Sequence, residues 1–214
     1  EEERRTALYE EASKAAGFRL TYLPVMNEEQ VSEFIQKALG AQADKAVELL
    51  ARNENLKQIS TRPVLLDMVV RTVDSLRDLN DTINQAVLYR QYTDEWLARN
   101  DWRLKVTKEI KDALMEQLAL QLWERDTAQI HYSELQTAIA PLLKGRVEAY
   151  NDFELAGNEI RSATFLIRDD AGNYRFAHRS FLEYFLARRL ARKLDRDTLA
   201  VRRISPPVIA FVLE

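Results

Sequence analysis

Apolar residues recur at helical spacing along most of the chain and predict a mainly α-helical protein. Asn27 and Gln30 form a capping box that predicts a helix start, and Gly40 is a typical end for that helix. Further helices are predicted over residues 1–16, 41–53, 83–99, 105–125, 131–143 and 152–163, with another beginning near Pro63. The predicted core positions are Val31, Phe34, Ile35, Ala38, Ala46, Val47, Leu49, Leu50, Leu65, Leu66, Met68, Val69, Val73, Val87, Leu88, Tyr92, Trp96, Leu97, Ile110, Leu114, Leu118, Leu122 and Trp123.

Alternation of apolar and polar residues predicts strands in two parts of the chain. FRLTYLPVM, at residues 18–26, reads as a single strand, which would need a sheet that this chain does not supply. Residues 164–168 and 173–177 flank the turn sequence DDAGN and predict a β-hairpin. The predicted fold class is therefore mainly α, with a helical bundle followed by a winged-helix domain that carries a small β-hairpin wing.

The pattern changes from alternating to helical at His178, one of two histidines in the chain. Ser180 and Glu183 predict a capping box, so the helix is expected to start there. The first N–H groups of a helix attract anions, and an imidazole beside them adds a directional donor. The alternative is that His178 packs beneath Phe176 and Phe181 with both ring nitrogens bonded internally.

Composition narrows the class of protein. The sequence has 214 residues, 46% hydrophobic and 30% charged, as in soluble globular proteins, and a net charge of -3 argues against general affinity for nucleic acid. The absence of cysteine excludes disulfides and fits a cytoplasmic location. The longest apolar run, residues 206–213, is too short to span a bilayer, so no membrane association is expected. Without an initiator Met, the sequence reads as an excerpt of a longer protein.

Known catalytic motifs are missing from the sequence. No glycine precedes a lysine as a phosphate-binding Walker A loop requires, and no G-x-S-x-G or cysteine nucleophile is present. His131 and His178 are too far apart in sequence to form a metal-ligand pair. We therefore expect no catalytic residues and no metal site in this chain.

DNA binding is one function that a winged-helix fold suggests, since such folds place a helix in the major groove. The helix predicted before the hairpin carries Asp152, Glu154 and Glu159 against one cation, Arg161. Its acidic face would repel phosphate, so nucleic-acid binding through it is disfavoured.

A basic cluster ends the last long helix. We favour a solvated face at the negative end of the helix dipole over a contact surface for an acidic partner or nucleic acid. Its members are Arg188, Arg189, Arg192, Lys193 and Arg196.

The stretch FAHRSFLEYFLA, at residues 176–187, resembles the end of the winged-helix domain in NACHT proteins, the NLR-like branch of the STAND NTPases. Three other segments resemble parts of that family in the same order. LPVMNEEQVSEFI (23–35) is similar to the junction after the last strand of the NTPase core, STRPVLLDMVV (60–70) to the helical domain, and LYRQYTDEWLARND (88–101) to the start of the winged-helix domain.

The resemblance implies a domain order and a nucleotide site. Residues 1–26 would end the NTPase core, 27–80 form the helical domain, 81–194 the winged-helix domain, and 195–214 begin the following region. His178 would reach the β-phosphate of ADP, with Arg62 and Pro63 also at the nucleotide. For Pro63, a simple helix start is the alternative. The Walker motifs, and with them Mg²⁺ binding and ATP hydrolysis, would belong to a core outside this chain.

The function that the resemblance implies is a nucleotide-state-sensing regulatory arm. It would close over ADP, rotate when ATP replaces ADP, and allow homo-oligomerisation. Its partners would be its own NTPase core and a C-terminal sensor region, and the usual role of bacterial members is signalling in antiviral defence. The alternatives are a winged-helix DNA-binding or scaffold module with no nucleotide role, and a purely structural helical interaction domain.

Overall fold

The computed structural model describes residues 25–79, 83–98, 107–135, 137, 165–192 and 203–214. Several predictions lie outside these residues: the helix over 1–16, most of the strand over 18–26, the helix over 152–163, the break near 80–82, and Lys193 and Arg196 of the basic cluster.

The described residues are mainly helical. The elements are α1 (Glu28–Leu39), a 3₁₀ turn (Gly40–Gln42), α2 (Ala43–Arg52), α3 (Glu54–Ile59), α4 (Pro63–Arg71), α5 (Val73–Arg77), α6 (Gln85–Ala98), α7 (Lys108–Glu124), β1 (Ile130–His131), β2 (Leu166–Arg168), β3 (Asn173–Phe176), α8 (Arg179–Arg192) and α9 (Pro206–Leu213).

The strands form a small antiparallel sheet in the order β1-β3-β2. The predicted hairpin is confirmed, since Leu166 pairs with Phe176 and Arg168 with Tyr174. The helix predicted over 131–143 is present at the described residues 132–135 and 137, but it starts one residue later than predicted, because Ile130 and His131 pair with the edge of β3. Helical geometry begins only at residue 132. The fold class is therefore mainly α with a small three-stranded antiparallel sheet.

Helix α1 begins as its sequence predicts. The Gln30 N–H donates to Asn27 Oδ1 at 2.8 Å, and the Asn27 N–H donates to Gln30 Oε1 at 3.0 Å. Gly40, with φ of 54°, ends the helix. The predicted apolar stripe was too wide here: Ala38 is exposed, and Val47 of α2 is 45% exposed. Helix α1 packs against α4 and helix α2 against α5, and neither of these two exposed side chains belongs to the buried core.

The buried apolar side chains form one cluster that extends from α1 to α9. Helix α8 lies at its centre and packs against α7, α9 and β3. Stacked rings fill the region beside the wing, where the centroids of Phe165 and Phe181 are 4.4 Å apart. This packing fixes the N-terminal end of α8, which follows His178. None of the described helices combines the length and apolarity needed to cross a bilayer.

Buried ion pairs join α7 to α8. Arg188 donates to both oxygens of Asp112, at 2.9 and 2.7 Å, and its Nε lies 3.2 Å from Glu116 Oε1. Arg192 also pairs with Glu116, at 3.2 Å. Burial raises the pKa of Glu116 although both arginines lower it. The prediction of a solvated basic face is therefore wrong at Arg188, because acidic side chains of α7 provide its partners within the chain.

Candidate functional site

A cavity of about 720 Å³ lies where the N-terminal ends of α4, α6, α8 and α9 approach one another. Its volume falls in the range of small-molecule and cofactor sites, which is about 300–1,000 Å³. The lining residues are Arg62, Pro63, Val64, Leu65, Gln85, Tyr89, His178, Arg179, Ser180, Glu183, Pro206, Pro207, Ala210, Phe211 and Glu214.

All three residues predicted from the sequence to contact a cofactor line this cavity. Arg62 and Pro63 come from the start of α4, and His178 comes from the turn before α8. Pro63 is the first residue of α4, where its missing N–H leaves no helical bond unmade. The Arg62 carbonyl accepts the N–H groups of Leu65 and Leu66, while its side chain is in no ion pair with another described residue.

His178 itself caps α8. Its Nδ1 accepts the backbone N–H of Ser180 at 3.2 Å and lies 2.6 Å from the Ser180 hydroxyl. The residue is exposed, so the alternative that places the ring beneath Phe176 and Phe181 does not match its position. The predicted Ser180–Glu183 capping box is wrong, because the helix already begins at Arg179 and the Glu183 carboxylate pairs with Arg179 at 3.0 Å.

Tyr89 is a site residue that the sequence did not reveal. It lies in α6, is 1% exposed, and its hydroxyl donates to Ser180 Oγ. Burial raises the pKa of Tyr89 to about 12, against smaller lowering effects from the Ser180 hydrogen bond and the Arg62 charge. Ser180 is 91 residues away in sequence. No local pattern connects the two, so only the fold could identify this contact.

The acidic residues that line the cavity are already bonded within the chain. Glu183 pairs with Arg179, and the Glu214 carboxylate accepts the N–H of Ala86 at 2.8 Å in the first turn of α6. Of the two carboxylates, only Glu183 is paired with a cation. Arg62 lines the same cavity and has no ion pair with another described residue.

Helix α9 forms one wall of the cavity. Phe211 is 9% exposed and packs its ring 5.0 Å from that of Tyr89 and 5.6 Å from that of Tyr184. Pro206 and Pro207 line the cavity at the start of the same helix. The sequence had suggested only that residues 195–214 begin a following region. The contribution of this segment to the cavity was not predicted.

His131, the second histidine, lies in β1, the strand that completes the three-stranded wing with the hairpin β2–β3, and not among the residues that line this cavity. Its Nδ1 lies 2.8 Å from the Ser133 hydroxyl, and its ring centroid is 4.5 Å from that of Tyr132. Among the described residues, no group of three or more His, Asp or Glu side chains is arranged to hold a metal ion.

The sequence is similar to part of a much longer known protein. The chain is 25% identical over 180 residues to an uncharacterized WD repeat-containing protein of Nostoc sp. strain PCC 7120. The aligned stretch covers 83% of this chain but 12% of that protein, so the chain spans a small part of the length of the curated relative that it matches. No protein-family model matches the sequence.

Proposed function

We propose that this chain is the helical and winged-helix arm of a NACHT-type STAND NTPase, and that it responds to the nucleotide state of the whole protein. The observation that carries the proposal is the meeting of Arg62, Pro63 and His178 at one cavity. These residues lie in two segments that resemble that family separately, 60–70 and 176–187. Their proximity in space is independent of the sequence resemblance that first selected them.

The chemistry of the cavity suits a nucleoside diphosphate. Arg62 provides a guanidinium, which binds phosphate oxygens through its fork of N–H donors. His178 provides an imidazole whose Nδ1 is already bonded, which leaves Nε2 to face a ligand. Pro63, Val64 and Phe211 add apolar surface. ADP supplies the anionic diphosphate that these donors would recognise, and Mg²⁺ would depend on groups outside the chain.

Such a site can act as a switch through differential affinity. If the contacts from His178 and Arg62 to ADP exist only when the arm is closed over the NTPase core, ADP stabilises the closed state by the free energy of those contacts. A ligand that does not make them leaves the arm free to rotate, and subunits can then assemble. The role that follows is signal transduction, in which this chain regulates hydrolysis without performing it.

The similarity to a WD repeat-containing protein fits a regulatory arm within a larger protein. WD repeats form the blades of β-propellers, which present broad binding surfaces. If the present chain also belongs to such a protein, the repeats would be the sensor region that the arm is expected to contact.

The test is to purify the longer parent protein, denature it, and identify and quantify the released nucleotide. We expect ADP in the wild type, depletion of ADP in His178→Ala, and wild-type content in the matched control His131→Ala. Absence of nucleotide from the wild type would overturn the proposal. A gel shift on duplex DNA at several salt concentrations would then test the winged-helix DNA-binding alternative, which predicts tight and steeply salt-dependent binding.

A further inference from the structure

We propose that Tyr89, acting through Ser180, is the positioning residue that holds the His178 imidazole with Nδ1 as an acceptor and the ring proton on Nε2. The use of this donor for a nucleotide rests on the proposed function. The hydrogen-bond relay rests only on contacts within the chain and can be tested without a nucleotide.

His178 Nδ1 lies 3.2 Å from the backbone N–H of Ser180, a group that can only donate. A proton on Nδ1 would place two N–H groups against each other, so this contact favours Nδ1 as an acceptor. A neutral imidazole carries one ring proton, which the contact therefore favours on Nε2.

The Ser180 hydroxyl adds a second, shorter contact to the same nitrogen. Its oxygen lies 2.6 Å from His178 Nδ1 and also accepts the hydroxyl proton of Tyr89. A serine hydroxyl has one proton and two acceptor lone pairs, and Tyr89 occupies one of the lone pairs. The Ser180 proton is then not used on the Tyr89 oxygen and is free to donate to Nδ1. Since its raised pKa keeps Tyr89 protonated at physiological pH, the phenol remains a donor.

Tyr89 is held in place by aromatic rings of two other helices. Its ring lies 5.5 Å from Phe181, 5.3 Å from Tyr184 and 5.0 Å from Phe211, measured between centroids. The phenol is thus fixed by side chains of α8 and α9 while it belongs to α6. Outer groups that are themselves locked by packing hold a functional side chain in one orientation and tautomer. The hydrogen bonds thus connect the buried Tyr89, through Ser180, to the exposed His178 imidazole at the cavity.

The Nε2–H donor of His178 is therefore in place before a ligand binds. Fixed donors aimed at a developing or bound negative charge are more effective than groups that must reorganise. Removal of the Tyr89 hydroxyl would leave Ser180 Oγ without that donor, so Oγ would accept from a protonated Nδ1 more readily. The Ser180 N–H would still favour Nδ1 as an acceptor, so the Nε2–H tautomer would lose part of its preference.

The test reads the two tautomers directly by long-range ¹H–¹⁵N correlation NMR on this chain. With two histidines in the sequence, His131 serves as an internal control. We expect His178 to show the Nε2–H tautomer in the wild type. Tyr89→Phe and Ser180→Ala should each shift its population toward Nδ1–H, while Ser180→Thr, which keeps a hydroxyl, should retain the wild-type signature. The His131 signals should stay unchanged in all three variants.

An Nδ1–H tautomer in the wild type, or an unchanged tautomer population in both Tyr89→Phe and Ser180→Ala, would overturn the relay. The isosteric Tyr89→Phe variant and Ser180→Ala address the same question from opposite ends of the relay, so loss of folding in one leaves the other decisive. Nucleotide content of the same variants in the parent protein separates the two proposals. If His178 shows the expected Nε2–H tautomer but the wild-type parent protein holds no nucleotide, the nucleotide function alone is contradicted. If the parent protein holds ADP but the tautomer does not respond to the substitutions, the relay alone is contradicted.

Discussion

His131 and His178 each stand immediately before a helical segment, and each is followed two residues later by a serine. In both places the histidine Nδ1 lies within hydrogen-bond distance of the serine hydroxyl, at 2.8 Å for Ser133 and 2.6 Å for Ser180. Both serines also direct the backbone N–H toward Nδ1, at 3.5 and 3.2 Å respectively. The local sequence H-x-S therefore produces the same helix start twice.

The surroundings of the two rings differ. At the wing, the His131 Nε2 side faces the β-hairpin: a Cβ placed on Gly172 would lie 3.3 Å from that atom. The neighbouring cation, Arg168, is already placed over the Tyr132 ring at 5.4 Å from its centroid. At the cavity, His178 shares its space with Arg62, whose side chain has no ion-pair partner among the described residues.

The comparison separates two causes. Local sequence places each imidazole at a helix start with Nδ1 bonded, whereas distant residues determine whether the ring can meet a ligand. At the cavity, His178 is supported through Ser180 by the buried Tyr89 and lies near Arg62. At the wing, His131 lies against the hairpin turn at Gly172. Matched substitutions at the two sites should therefore have different effects.

Replacement of the tyrosine beside each histidine should give the largest difference in stability between the two sites. Tyr89→Ala removes a 1%-exposed ring and should lower the free energy of unfolding by about 3–5 kcal/mol, as large-to-small core substitutions do. Tyr132→Ala removes a ring that is 44% exposed, and about 1 kcal/mol or less is expected from the lost contact with Arg168. Chemical denaturation of both variants measures the difference, and equal losses would mean that the two sites are supported alike.

Much of the local structure of the chain could be predicted from the sequence. The Asn27–Gln30 capping box, the hairpin around DDAGN and the helix that follows His178 all depend on residues within a few positions of each other. What could not be predicted depends on distant partners. Tyr89 meets Ser180 only through the packing of α6 against α8. Arg188 appeared solvated in sequence because its partner Asp112 lies 76 residues away.

The turn of the wing offers a second comparison. Gly172 has φ of 87°, and an added Cβ would lie 3.2 Å from Tyr132 Cδ1 and 3.3 Å from His131 Nε2. Gly172→Ala should therefore lower the free energy of unfolding by about 1–2 kcal/mol, because L residues with a side chain resist the left-handed region and the site is crowded. NMR should show altered His131 signals and unchanged His178 signals. Equal perturbation of both histidines would show that the sites are not independent.

Substitution of Arg168 and of Arg62 should differ little in the effect on stability but clearly in the effect on ADP binding. Arg168→Gln removes a cation from the faces of Tyr132 and Tyr174 and should destabilise the chain by about 0.5–1 kcal/mol. Arg62→Gln should change stability by less than about 0.5 kcal/mol, as expected for a side chain without an ion pair. In the parent protein, however, Arg62→Gln should weaken ADP binding while Arg168→Gln leaves it unchanged. Thermal melts and an ADP titration measure both effects, and the reverse ranking for ADP would contradict the assignment.

The most direct measurement is the rate at which a fluorescent ADP analogue dissociates from the parent protein, with wild type, His178→Ala and His131→Ala compared side by side. A hydrogen bond to a charged group is worth about 1.5–3 kcal/mol, so loss of the His178 contact should accelerate dissociation by about 10-fold to 150-fold. His131→Ala should dissociate at the wild-type rate. Equal rates in all three proteins, or equal acceleration in both variants, would contradict the claim that the cavity makes His178 the nucleotide-contacting histidine.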